Sequence, residues 1–140
     1  MFWDSSALVP VLLPEPRSAD VGVLLAGDRG TTIWWATPVE CLSAVYRYQR
    51  GAELRQGQLG PVLRRLEMLA EDVHTVPATD GVRARAGRLL AVHALRAADA
   101  LQLAAALVWC EGQPAGQAFV CLDARLRRAA LLEGFLILPD

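Results

Sequence analysis

Four acids, Asp4, Glu40, Asp99 and Asp123, stand where carboxylates are costly unless they do something. The clearest is Asp99, the only acid between Gly81 and Cys110, inside the stretch Leu95-Arg-Ala-Ala-Asp99-Ala-Leu-Gln-Leu-Ala-Ala-Ala-Leu-Val-Trp109. The residues around it are apolar on all sides and helix-favouring, which predicts a helix buried on most faces. An ionised carboxylate next to a core must cap, pair or hold a cation. Carboxylates crowded together raise one another's pKa values unless a cation keeps them ionised. Oxygen-only ligands select a hard ion, Mg²⁺ or Mn²⁺. Two such ions ~3.5–4 Å apart suit in-line attack on a phosphodiester, one activating the attacking water and the other stabilising the leaving oxygen. No side-chain nucleophile is then required, and His74 and His93 are expected outside the acidic cluster.

The elements that must gather these acids can be read in order. Phe2-Trp3 is a very short strand with Asp4 at its carboxyl end. Ser5 and Ser6 offer N-caps for a helix over 7–13 that Pro14-Glu15-Pro16 stops, and a second helix covers 17–26. Thr31-Thr-Ile-Trp-Trp35 is β-branched and aromatic and predicts a second strand, with both Trp34 and Trp35 covered between helices. Thr37-Pro38-Val39-Glu40 has the pattern of a capping box opening a helix that runs to about Arg50. A further helix over 59–70, a strand over 72–76 and a helix capped by Thr79-Asp80 lead to the Asp99 helix. Ala118-Phe-Val-Cys-Leu122 is an apolar strand ended by Asp123, followed by a helix over 124–133, Gly134 as its C-cap and a last strand over 135–138.

Strands alternating with helices predict an α/β fold, a three-layer α/β/α arrangement around an open, mostly parallel sheet. Ligands in such folds bind beyond the carboxyl ends of the strands, where the four acids are expected to converge on one rim. Simpler roles remain open for each: Glu40 as the capping-box acid, Asp99 as a helix cap, Asp4 and Asp123 as turn residues.

The 140 residues, 54% hydrophobic and 21% charged, predict one packed domain over 1–140. A net charge of −1 gives no bulk attraction to nucleic acid, so a polyanion must be drawn by a local patch or a metal. All 14 basic side chains are Arg, which excludes Schiff-base and P-loop chemistry and the phosphoryl-reading lysine of receiver domains and haloacid-dehalogenase-type phosphatases. Cys41, Cys110 and Cys121 are too widely spaced for a zinc cluster or a disulfide framework and are expected as free thiols. With no signal-peptide pattern and no apolar run near a membrane span, a cytoplasmic location is expected. Arg47, two turns beyond Glu40 on the same helical face, and Arg96, just before the Asp99 helix, are candidates to touch phosphate. The Arg83, Arg85, Arg88 run and Arg64-Arg65 read as solvated faces.

Taken together, Phe-Trp-Asp4-Ser-Ser-Ala-Leu-Val, Pro-Val-Glu40-Cys-Leu-Ser-Ala-Val, Leu-Arg-Ala-Ala-Asp99-Ala-Leu-Gln-Leu-Ala-Ala-Ala and Phe-Val-Cys-Leu-Asp123-Ala-Arg-Leu resemble the successive signatures of PIN-domain ribonucleases. In particular they resemble the VapC toxins of bacterial toxin–antitoxin pairs, over the whole chain and in order. The resemblance implies a PIN-like α/β/α domain that cleaves RNA with Mg²⁺ or Mn²⁺, a homodimer, and inhibition by a cognate antitoxin protein. It implies that Asp4 and Asp99 are primary metal ligands, Glu40 a third ligand or a holder of metal-bound water, Asp123 the fourth acid, and Ser6 a polar support beside Asp4. Two positions depart from the usual pattern: Cys121 stands where Thr is frequent, and Gln102 where His is frequent. The alternative is a catalytically weak RNA-binding or assembly domain that retains the PIN fold.

Overall fold

A computed structural model describes residues 1–55 and 57–140. Five parallel strands, β1 (Phe2–Trp3), β2 (Thr32–Trp34), β3 (His74–Val76), β4 (Ala118–Val120) and β5 (Leu136–Leu138), form one sheet in the order β3-β2-β1-β4-β5. The helices are α1 (Ser5–Leu12), α2 (Ser18–Gly27), α3 (Thr37–Arg50), α4 (Leu59–Glu71), α5 (Asp80–Val92), α6 (Ala97–Trp109) and α7 (Ala124–Glu133).

The three layers follow from the two-residue period of strands. Trp3, Ile33 and Val120 point to one face and pack with α1 to α4; Phe2, Trp34 and Phe119 point to the other and pack with α5 to α7. Phe2 stacks on Phe119 with centroids 5.5 Å apart, and Phe135 closes on Phe119 at the same distance. Both faces of the three middle strands are covered, and Phe2–Trp3 and Ala118–Val120 are apolar throughout, as a buried parallel sheet favours; the edge strand β3 exposes His74 and Thr75. The chain order reverses direction between β1 and β4, which opens a crevice at their carboxyl ends. Asp4 and Asp123 follow those two strands.

Several local expectations need correction. Neither Ser5 nor Ser6 caps α1: Asp4 does, accepting the Ser6 N–H at 2.9 Å, and the helix starts two residues earlier than predicted. Thr37 does not open a capping box, because Ala36 is the N-cap of α3 and makes no side-chain cap. The buried Thr37 hydroxyl instead meets Gln102. Trp35 is not covered: β2 ends at Trp34, and Trp35 turns outward with 61% of its surface exposed. Gly134 ends α7 at φ 104°, the left-handed conformation in which a Cβ would be strained. Among the described residues no single helix is long and apolar enough to cross a membrane.

Candidate active site

Each of the four acids is positioned by the start of a helix. Asp4 leaves the most central strand, is 4% exposed, and N-caps α1. Its Oδ2 accepts the Ser6 N–H and, in a short contact, the Ser6 hydroxyl; the Cys121 thiol lies 3.6 Å from the same oxygen. The Ser6 Oγ in turn accepts the N–H groups of Leu122 (2.9 Å) and Asp123 (3.2 Å), tying the end of β4 to the end of β1. Burial pushes the Asp4 carboxyl from its ordinary 3.8 up to about 6, against the hydrogen bonds from Ser6, and the nearby Glu40 charge adds to the rise.

Glu40 sits in the first turn of α3, and its Oε2 accepts from the Ser5 hydroxyl at 2.7 Å and from Gln102 Nε2 at 3.1 Å. Gln102, 1% exposed on α6, thus ties Glu40 and Thr37 to the helix that carries Asp99. Asp99 accepts the Arg96 N–H on Oδ2 at 3.2 Å, and Arg125 Nη2 approaches the same oxygen at 4.0 Å. Asp123 caps α7, with Oδ1 accepting from Arg125 N and Leu126 N, both at 2.9 Å.

A pattern runs through the set. Every one of the four acids commits one carboxylate oxygen to local structure, and the other has no hydrogen-bond partner among the described residues. Asp4, Glu40 and Asp123 are linked through Ser5, Ser6 and the end of β4, and a cavity of about 410 Å³ opens beside them, lined by Ser5, Ser6, Glu40, Arg47, Leu122 and Asp123 among others. Asp99 joins through Arg125; of the four acids only Glu40 and Asp123 line that cavity, with Asp4 buried behind Ser6 and Asp99 outside it. Among the described residues no three His, Cys, Asp or Glu side chains close around one point as a metal-bound set would. Hydrogen-bond donors meet one oxygen of each acid, and the Arg125 guanidinium lies 4.0 Å from Asp99.

Arg47 lines the cavity; Arg96 is exposed and its backbone, not its side chain, meets Asp99. His93 pairs with Glu133 at 2.6 Å, outside this set, and His74 lies on β3. The three cysteines are free, Cys41 and Cys121 buried and Cys110 partly so. Ser5, Gln102 and Arg125 were not singled out as partners of the acids from the sequence. Gln102 is 62 residues from Glu40; its polarity on an apolar helix and its place where the resembled family often has His mark the position, but neither names Glu40 as its partner.

Comparison with known proteins agrees with this architecture. The PIN domain family matches residues 1–132. Ribonucleases VapC45 and VapC49 of Mycobacterium tuberculosis are each 32% identical over 140 residues, covering 99% of this chain and 94% of the relative. Among solved structures, the fold is similar to M. tuberculosis VapC20, described as a sarcin–ricin loop cleaving toxin, with TM-score 0.69 and 16% identity over 96% of this chain and 95% of that one. It is also similar to the FitAcB structure from Neisseria gonorrhoeae, with TM-score 0.66 and 17% identity over 99% of this chain and 96% of that one. A five-stranded parallel sheet between two helical layers, with acids following β1 and β4, and full-length similarity to these ribonucleases together mean that the chain belongs to the PIN-domain family, in its VapC branch.

Proposed function

We propose that this protein is a divalent-cation-dependent endoribonuclease, the toxin of a toxin–antitoxin pair, and that Asp4, Glu40, Asp99 and Asp123 form its catalytic site. The observation that carries it is the set of four carboxylates, each with one oxygen anchored and one free, at the carboxyl rim of a parallel sheet. The donors are all oxygen, which fits Mg²⁺, with Mn²⁺ able to substitute. Burial that raises the Asp4 pKa beside Glu40 is the condition a bound cation relieves.

The free oxygens of Asp4 and Asp99 would hold the ion, with Glu40 and Asp123 completing the ligands. When bound, the ion supplies Lewis-acid activation of water and charge stabilisation at the phosphate. The chain's own residues do the rest. Ser6 fixes the Asp4 carboxylate and the end of β4 in one register; Ser5 and Gln102 aim Glu40. Below about pH 6 Asp4 keeps its proton in the cation-free protein, so proton and cation compete and the apparent cation affinity should rise with pH up to about that value. Arg47, on the cavity wall, and Arg96, at the head of α6, offer guanidinium groups to RNA phosphate.

Cognate antitoxin binding and a homodimer are part of the proposal, supported by the similarity to a structure described as a toxin and by exposed apolar side chains such as Trp35, Val39 and Met68. The proposed location is the cytoplasm, where RNA and an antitoxin would both be met.

The test is cleavage of a pool of structured cellular RNAs by antitoxin-free protein, with Mn²⁺ or Mg²⁺ against EDTA, beside Asp99→Asn. Discrete cation-dependent cuts that the variant loses support the proposal. Cuts that persist in the variant refute the site. Absence of cuts in folded protein favours the alternative of an RNA-binding domain that has lost turnover.

A further inference from the structure

A groove of about 360 Å³ runs between the turn joining α5 to α6 and the outer face of α7, lined by Val92, His93, Leu95, Arg125, Arg128 and Leu132 among others. Arg125 stands at its mouth. The backbone N–H of Arg125 is held by Asp123 at 2.9 Å, and its guanidinium reaches Asp99 at 4.0 Å. One residue therefore links two of the acids to the groove. Its side chain is 49% exposed, and a long, half-exposed ion pair of this kind is weak and easily released.

We propose that this groove carries single-stranded RNA away from the acids and that Arg125 grips an RNA phosphate at its entrance, having been parked on Asp99 until a cation takes that carboxylate. The inference rests on the ribonuclease reading above and adds a substrate path to it. A cation at Asp99 competes for the oxygen that Arg125 approaches and repels the guanidinium, which turns to the next available anion. A phosphodiester suits it, because the planar fork can bind two phosphate oxygens at once. Arg128, one helical turn further on α7, lies on the same wall and gives a second phosphate contact. Val92 and Leu132, 72% and 69% exposed, supply apolar surface against which unstacked bases can lie. The nearby acid Glu133 meets His93, on the groove wall, at 2.6 Å.

The experiment uses the full chain with Arg125→Ala, Arg128→Ala, Arg125→Lys and Asp99→Asn, each checked for an unchanged circular dichroism spectrum. Calorimetry measures Mn²⁺ affinity without RNA, and anisotropy measures binding of a fluorescein-labelled, cleavage-resistant 2′-O-methyl single-stranded RNA of mixed sequence in saturating Mn²⁺. Arg125→Ala should move the two in opposite directions: Mn²⁺ binding about threefold tighter, and RNA binding about tenfold weaker with a salt dependence flatter by about one phosphate contact. Arg128→Ala should weaken RNA alone, and Arg125→Lys should restore part of the RNA affinity.

RNA affinity unchanged in both alanine variants overturns the proposal, as does Arg125→Ala with Mn²⁺ affinity unchanged or reduced. If Asp99→Asn binds Mn²⁺ as tightly as the parent, the cation site itself is refuted. If Asp99→Asn loses Mn²⁺ while the arginine variants change nothing, only the groove is refuted.

Discussion

Two aspartates stand at opposite ends of β1, and the same side chain has been put to opposite uses. At the amino end, Asp28 has both oxygens occupied. It accepts from the Trp3 indole at 2.8 Å, the Thr31 hydroxyl at 3.1 Å, the Gly30 N–H at 3.1 Å and the Met1 amino group at 3.3 Å. Burial alone would raise its pKa, but the donors from Trp3, Gly30 and the amino group outweigh that and hold it below the ordinary value. At the carboxyl end, Asp4 is more deeply enclosed, has donors on one oxygen only, and is pushed up to about 6. A satisfied buried carboxylate stabilises; one left half satisfied costs stability and is found where function needs a charge. The difference between the two ends of one short strand separates scaffold from proposed site.

The largest effect that would break this comparison is on cleavage. Asp4→Asn should lower the rate on the order of a thousandfold, since losing a ligand forfeits several kcal/mol of transition-state stabilisation. Asp28→Asn should leave the rate of the folded protein unchanged, and single-turnover assays at matched protein stability compare them.

Stability should move the other way. At ~1.4 kcal/mol per pH unit, a rise from 3.8 to about 6 means that ionised Asp4 destabilises the cation-free fold by about 3 kcal/mol. The sign follows from proton binding: the folded state holds the proton more tightly, so the penalty is absent below pH 3.8, where Asp4 is protonated folded or unfolded, and reaches its full size as pH rises through about 6. Urea melts in EDTA should therefore show Asp4→Asn more stable than the parent at pH 7.5, with the advantage shrinking towards pH 4. Asp28→Asn should be less stable by about 2 kcal/mol at pH 7.5, because its donors lose a charged acceptor.

Smaller changes sharpen the picture. Gln102→Met, close in volume, removes the donor that aims Glu40, and should weaken Mn²⁺ binding about tenfold, as losing a support behind a ligand does. Ser6→Ala should cost about 1 kcal/mol of stability, because the N–H groups of Leu122 and Asp123 lose their shared acceptor.

The middle of the sheet was legible because both faces of β1, β2 and β4 are covered, which leaves mostly apolar runs between turn residues. The four acids could be picked out for the same reason: each interrupts or ends such a run. Less legible was how each is held. Asp4 competes with Ser5 and Ser6 for the cap of α1, and all three are good cap residues, so local pattern cannot choose among them. Thr37 and Glu40 match a capping box in sequence, yet both side chains turn to Gln102 on a helix more than 60 residues away. Trp35 follows the strand pattern by composition, but the chain leaves the sheet one residue earlier and exposes it. Arg125 is one arginine among several on α7 until the fold sets it beside Asp99.

The most direct measurement is Mn²⁺ titration by calorimetry at pH 6 in two buffers of different ionisation heat, on the parent, Asp4→Asn and Asp28→Asn. The account predicts saturable binding by the parent with release of about half a proton per site, from an Asp4 carboxyl half protonated at that pH. Both the binding and the proton release should be lost in Asp4→Asn and kept in Asp28→Asn. Equal Mn²⁺ binding by parent and Asp4→Asn, or binding lost only in Asp28→Asn, would contradict the assignment of the carboxyl end of the sheet as the cation site.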